Sequence, residues 1–469
     1  MTTSHRPGPP PGGGVLAQHD FRQLFHAAAV SHVGTHVTLV ALPLIATLQL
    51  DATAFEVGLL TAVETVAFLL IGLPAGAWVD RARKLPVLLR ADVVRAVAMG
   101  SVPLAAVCGV LTMAQLYAVA LVTGFATVFF DVAYQSYLPW LLPRSRLVAG
   151  NGALESARSA AQVAGPGLGG GLVQALGAPL ALLVDALSYL VSAFFLRRIR
   201  AREEAPPEPE PGVSLGAQVK EGLAFVLRHP VLRLIAATTG IANFFAALQT
   251  AVQTVFLVRV LDLPAGAVGL TLSASAVGGL LGAACAGRLA RRCGQVRLIW
   301  LAPVVTGPFA VLWPLSGKGY GAVWFALASG AVYFGAVVYN VAQVSYRQAV
   351  CPEALLGRMN ATLRFMVWGT MPLGALVGGT LASAAGPRTA LWVCAAGFLL
   401  VPLPLLPLRN VPDAPQAPDA PETPDAPGDP DHGSPAPGGR EAGRRDDRDA
   451  EHDTTLRPGP EGRGAARGR

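Results

Sequence analysis

The chain has 469 residues, of which 52% are hydrophobic and only 14% charged. Soluble proteins carry about a quarter of their residues as charged side chains, so this composition excludes an ordinary water-soluble globule and marks an integral membrane protein. The formal net charge of +7 then belongs to the loops on one membrane face rather than to a nucleic-acid surface, and five scattered cysteines without a C-x-x-C spacing give neither a disulfide framework nor a zinc site.

Residues 1–20 form a polar tail rich in Pro and Gly, expected to be disordered, with no basic segment followed by an apolar one as a cleaved signal would need. About twenty apolar residues cross about 30 Å of hydrocarbon. Twelve such stretches follow, at 22–48, 55–79, 86–110, 114–138, 147–175, 179–199, 231–259, 265–288, 296–316, 320–346, 355–384 and 387–408. They are continuous rather than alternating, which predicts helices and excludes a β-barrel. Alternate loops hold the bases: Arg81, Arg83 and Lys84, then Arg144 and Arg146, Arg197 to Arg202, Arg288 to Arg292, and Arg347 with Arg358. The positive-inside rule places these loops and both termini in the cytoplasm.

Between the sixth and seventh stretches, 201–230 is expected to be a cytoplasmic linker, with a Pro/Glu-rich part and an amphipathic surface helix over 215–230. Residues 409–469 are rich in Pro, Asp, Gly and Arg and are expected to be disordered. The linker separates two six-helix halves, 21–200 and 231–408. A shift of 209 residues, the interval from Ser136 to Ser345, also aligns Tyr137 with Tyr346, Pro143 with Pro352 and Asn151 with Asn360. It further aligns Gly165, Gly169, Gly170 and Gly177 with Gly374, Gly378, Gly379 and Gly386. A duplicated unit of parallel topology is the architecture of transporters that rock one half against the other around a midplane site. The fold class expected is therefore an all-α integral membrane protein of twelve transmembrane helices in two six-helix pseudo-repeats.

Two motifs stand out. The loop after the second stretch reads GLPAGAWVDRARK, with Gly76, Asp80, Arg81 and Lys84; the fifth stretch carries GPGLGG, with Gly165, Pro166, Gly169 and Gly170. Small residues allow close helix approach, and Pro166 can kink its helix and free a carbonyl. An acid at the membrane rim is useful when paired. Asp80 is expected to meet the N-terminal end of the eleventh stretch near Arg358, where a helix dipole also favours an anion, and so to latch the halves. A plain topological anchor and ordinary small-residue packing are the plainer readings of the two motifs. Ionisable residues inside the stretches are His36, Glu64, Asp131 and Asp185, of which Asp185 is expected near the outer end of its helix. Asp92 with Arg95 and Glu155 with Arg158, each spaced i, i+3, read as structural pairs. Asn243, Phe244, Phe245, Gln249 and Gln253, with Tyr333, Phe334, Tyr339 and Asn340 opposite, are candidates for lining a cavity suited to a bulky amphiphile.

These motifs resemble those of the major facilitator superfamily, over about residues 20–408, and most closely its branch of enterobactin-type siderophore exporters and macrolide-efflux proteins. Gly76, Asp80, Arg81 and Lys84 fit the superfamily's loop motif, with Arg83 where Gly is usual. Gly165, Pro166, Gly169 and Gly170 fit its antiporter motif. In such proteins spans one, four, seven and ten line the central cavity. That implies His36 and Asp131, with Glu64, as proton-coupling candidates; Asp131 can equally be a structural cap. The branch usually has an acid where Thr35 stands. The resemblance implies a secondary-active exporter of small amphiphilic compounds (drugs, macrolide-like metabolites or siderophores), driven by proton antiport through alternating access. It implies a monomer in the bacterial inner membrane, with a small-molecule substrate, protons and the lipid bilayer as partners, and no cofactor, metal, enzyme activity or nucleic acid. A symporting importer and a non-transporting sensor on the same fold are the alternatives.

Overall fold

A computed structural model describes residues 15–143, 146–201, 203, 223–351 and 368–410. Twelve helical segments account for most of them: α1 (His19–Leu48), α2 (Ala54–Asp80), α3 (Lys84–Val107), α4 (Met113–Leu141), α5 (Leu147–Leu176), α6 (Ala178–Arg197), α7 (Pro230–Val255), α8 (Ala265–Cys293), α9 (Gln295–Leu315), α10 (Gly321–Val350), α11 (Thr370–Ala385) and α12 (Pro387–Leu400). Among the described residues no strand occurs. Nine of the helices are long and apolar enough to cross a membrane by those measures alone. The others are α3 and α5, which carry charge and glycine, and the shorter α11.

Helix ends follow local chemistry. Thr53 and Glu56 form a reciprocal capping box at the start of α2, and the Thr112 hydroxyl accepts the Gln115 N–H at the start of α4. The turns α5–α6 and α11–α12 are each a single glycine, Gly177 and Gly386, at φ 85° and 89°. Only glycine takes that conformation freely, and the two positions correspond in the repeat. The start of the linker is anchored. Glu203 accepts the Lys84 and Leu85 N–H groups, each at 3.0 Å, and Asp20 accepts those of Arg200 and Ala201.

Within the expected N-terminal tail a 3-10 turn at Val15–Ala17 precedes α1, which starts at His19; residues 1–14 lie outside the described residues. Of the expected amphipathic helix over 215–230, residues 223–228 are helical and 215–222 lie outside the described residues, as do 411–469.

Packing reproduces the duplication. A side chain at Gly165 or Gly169 would strike α1, at His36 and Val37, and one at Gly374 or Gly378 would strike α7, at Phe244 and Leu248. Gly170 meets Gly269 of α8, and Gly379 meets Gly58 of α2. The aligned glycines therefore serve equivalent contacts in the two halves, one set within each half and one across to the other.

Among the described residues the largest apolar cluster common to both halves lies toward one end. Toward the α1–α2 loop, α1 to α3 and α7, α8 and α12 contribute to one cluster, with Val40, Ile45, Leu248, Leu257, Val268 and Leu391 buried. Toward the chain termini the halves bury separate clusters, one around Phe21, Leu88 and Tyr137 and the other around Ile235, Ile299 and Tyr339.

Candidate functional site

Between the halves lies a cavity of about 550 Å³. From the first half it receives His36, Leu39 and Val40 of α1 and Gln162 and Pro166 of α5; the rest of its wall comes from α7, α8, α9, α10 and α12. Helix α7 lays down a polar stripe, Thr239, Asn243, Gln249, Thr250 and Gln253, at the three- and four-residue spacings of one helix face. Proline at 303 and 308 accompanies a break in α9, whose helix yields to a 3-10 turn at Gly307–Val311, and Thr306, Gly307 and Trp313 reach the cavity around that break.

The wall's polar groups are largely tied to one another. The Thr239 and Tyr339 hydroxyls are 2.7 Å apart. Asn243 donates to the Thr239 carbonyl at 2.8 Å and Gln249 to Gln253 at 3.0 Å. Trp313 donates to Ser329 at 2.8 Å, and Gln343 to Asn340 at 2.9 Å. Gln162 bonds Tyr333 across the halves. Among the described lining residues there is no Asp, Glu, Lys or Arg, and His36 is the one histidine. Such a wall offers apolar surface with amide and hydroxyl partners, suited to a bulky solute with few charges.

Of the sequence-derived cavity residues, Asn243, Gln249, Gln253, Tyr333, Tyr339 and Asn340 line it. Phe244 does not: it packs edge-on against Phe245 in the core of the second half, its carbonyl against Gly374. One residue along a helix is about 100° of rotation, enough to turn Phe244 off the wall that Asn243 faces. Phe334 does not line it either: its backbone packs on Gly282 and its side chain joins the cluster around Ile235 and Ile299. Thr238, Ser275, Thr306 and Ser329 also line the cavity, and the sequence reading passed over them.

His36 sits on the wall because Gly165 has no side chain; a Cβ there would lie 2.3 Å from that of His36. The antiporter-type motif thus meets α1 through Gly165 and Gly169 and α8 through Pro166 and Gly170, and the Gly167 N–H donates to Ser273 of α8 at 2.7 Å. Glu64 and Asp131 do not reach the cavity. Glu64 lies on α2 where its backbone packs on Gly124 of α4, and Asp131 is half-buried on α4.

Asp185 lies in the half of its helix toward the α5–α6 turn, the end expected to be outer, and inside it rather than at the rim. It lies about two turns into α6, fully buried, accepting hydrogen bonds from Thr38 of α1 and from Ser188. Asp92 and Arg95 form a buried ion pair beside it, whereas Glu155 and Arg158 pair in the open.

The loop motif is seen in part. Arg81 is exposed and Lys84 opens α3, but the Asp80 side chain and the whole of Arg358 lie outside the described residues. No described atom comes within 4 Å of a Cβ placed on Gly76, and Trp78 beside it is 69% exposed. The N-terminal end of the eleventh stretch, the neighbour expected there, lies outside the described residues.

Contacts between the halves gather at the α1–α2 loop face. Arg259 bonds Asp51 at 2.9 Å and the Ala52 carbonyl at 2.8 Å. The Phe55 N–H donates to Ser383 at 2.7 Å, and the Gly266 N–H to Gln174 at 3.0 Å. The glycine pairs 58/379 and 170/269 lie beneath them.

Among solved structures, a bacterial homologue of the iron transporter ferroportin in its inward-facing state resembles the chain at TM-score 0.69 and 18% identity, covering 85% of this chain and 100% of that one. The same homologue in its outward-facing state scores 0.58 at 17% identity, covering 84% and 100%. In sequence, the chain is 26% identical to the multidrug efflux pump Tap of Mycolicibacterium fortuitum, over 83% of this chain and 93% of that protein. It is 27% identical to Tap of Mycobacterium tuberculosis, over 84% and 95%. The family model for transmembrane secretion effectors matches residues 14–425. The chain is a multi-pass membrane transporter and belongs to the transmembrane secretion effector family of the major facilitator superfamily.

Proposed function

We propose that this protein exports small amphiphilic compounds across the bacterial inner membrane by proton antiport, alternating the access of its central cavity. The observation that carries the reading is the uneven division of the core. The halves share one apolar cluster and several polar contacts at the α1–α2 loop face and bury separate clusters at the termini face. With the basic loops in the cytoplasm, that is a state closed to the outside. The better fit to an inward-facing relative agrees with it.

Export rather than import is supported by GPGLGG at the α1 and α8 contacts and by the similarity to Tap. The low charge of the wall favours drug-like or macrolide-like solutes. His36, on the cavity wall, with Glu64 and Asp131, which do not reach it, are the proton-coupling candidates read from the sequence. Asp80 with Arg358 is the proposed latch of the opposite state, in which the termini face closes.

The test is transport in inverted membrane vesicles across a panel of amphiphilic compounds. An acid lumen should drive uptake into the vesicles, and a protonophore should abolish it. Uptake only in right-side-out vesicles would make the protein an importer, and none in either would favour a sensor. Ala246→Trp, which adds an indole to the wall, should weaken substrate binding about tenfold or more, the consequence of about 1–3 kcal/mol of overpacking. Unchanged binding would remove this cavity as the substrate site.

A further inference from the structure

Helix α1 has two working faces. His36, Leu39 and Val40 face the cavity, while Gly34, Thr35 and Thr38 face α6. On that second face Asp185 is fully buried, and Thr38 and Ser188 donate hydroxyl hydrogen bonds to it. The space is made by Gly34: a Cβ there would fall 2.3 Å from an Asp185 carboxylate oxygen and 2.1 Å from the Ser188 hydroxyl. Behind Asp185, Arg95 is held between the rings of Phe130 and Tyr189, at 4.2 and 4.4 Å, and is ion-paired with Asp92. The groups that bear on Asp185 are therefore Asp92 and Arg95 of α3, Tyr189 of its own helix and Glu64 of α2, while His32 and His36 lie on α1.

The charges do not balance. Arg95 is already matched by Asp92, and the groups bonded directly to Asp185 are neutral hydroxyls. Excluding water from an uncompensated carboxylate costs several kcal/mol, and one bound proton makes the site neutral. Among the described residues the Nε of Arg95 is buried without a hydrogen-bond partner. Arg95, only 3% exposed, thus holds a free donor inside the cluster that a charged Asp185 could recruit. An unpaired donor in a buried polar network is costly, so pairing it is favourable.

We propose that Asp185 is the group that binds and releases the transported proton, and that α1 couples it to the substrate on its opposite face. The step is a single O–H bond. The carboxylate takes a proton when the cavity faces outward and gives it up when the cavity faces the cytoplasm. Loss of the proton changes the Thr38 contact and hence the seat of α1, which carries His36 and Leu39 into the cavity wall. This rests on the antiport reading above and identifies the carrier within it.

The test uses full-length protein in lipid nanodiscs and proteoliposomes, with Asp185→Asn, which keeps the shape, and Thr38→Val as a second variant. Infrared difference spectra on acidification should show a protonated-carboxyl C=O band in the wild type, absent from Asp185→Asn and displaced in Thr38→Val. Asp185→Asn should retain substrate binding and substrate–substrate exchange, which also reports its folding. It should lose accumulation driven by a pH gradient by about tenfold or more, the usual scale of a coupling free energy. A band that persists in Asp185→Asn, or gradient-driven accumulation that survives in it, would overturn the proposal. If the wild type shows an Asp185-dependent band yet no gradient-driven transport, the antiport reading falls and the proton site stands. If the wild type lacks the band, the site falls whatever the transport result.

Discussion

Gly170→Leu is expected to stop transport while leaving the protein folded in the membrane. A Cβ at 170 would lie 2.5 Å from the Ala265 carbonyl oxygen and 2.8 Å from the Gly269 Cα. Both are backbone atoms and cannot rotate away as a side chain would. The clash is confined to the α5–α8 contact, so it bears on closure of the α1–α2 loop face rather than on either half alone. Overpacking of this kind costs about 1–3 kcal/mol, and an equilibrium between two access states moves by roughly 5- to 150-fold for that energy. Gly58→Leu, 2.7 Å from the Gly379 Cα on the symmetry-related contact, should have the same effect. A cysteine placed at Ala246 and labelled with an impermeant maleimide would report the shift, because its reactivity from the outer side should rise in both variants. Normal transport by Gly170→Leu would mean that this contact does not tighten during the cycle.

Arg95→Ala is expected to cost about 3–5 kcal/mol of stability, because it leaves the fully buried Asp92 without its cation. It also removes the guanidinium that separates Phe130 from Tyr189. The measurement is thermal unfolding in detergent, in which Arg95→Ala should melt well below the wild type. The double variant Asp92→Asn with Arg95→Met, which removes both charges and keeps the volume, should regain much of the loss. Arg158→Ala is the contrast. Its partner Glu155 is more than half exposed, and exposed pairs are worth about 0–1 kcal/mol. Equal destabilisation by the two arginine substitutions would contradict the placement of the Arg95 pair in the core.

Most spans could be read closely from the sequence because the bilayer fixes their length; the first part of the eleventh lies outside the described residues. α2 was expected at 55–79 and runs Ala54–Asp80, and α6 was expected at 179–199 and runs Ala178–Arg197. The duplication could be read because glycine at a helix crossing cannot be exchanged freely, so Gly165, Gly169 and Gly170 keep counterparts at Gly374, Gly378 and Gly379. What could not be read is which face of an apolar helix points inward. In a membrane protein the amphipathic sense is reversed. On α6 the large apolar residues Leu183, Leu187, Leu190 and Phe194 are exposed, whereas Asp185, Ser188 and Ser192 are buried. The sequence therefore does not show that Asp185 is fully buried. The same uncertainty of rotation separated Phe244 from Asn243. A signal existed for Thr239 alone, which lies one turn before Asn243 on the same face of α7; Ser275, Thr306 and Ser329, on other helices, had none.

Alternating access is tested most directly by locking the α1–α2 loop face shut. Phe55 and Ser383 belong to different halves and are joined there, the Phe55 N–H donating to the Ser383 hydroxyl at 2.7 Å. With the five native cysteines replaced, Phe55→Cys and Ser383→Cys should form a disulfide under mild oxidation. Oxidised protein in proteoliposomes should bind substrate yet carry none across the membrane, and reduction should restore transport to the level of the single-cysteine controls. Full transport by the cross-linked protein would contradict the account, since the substrate would then cross without that face ever opening.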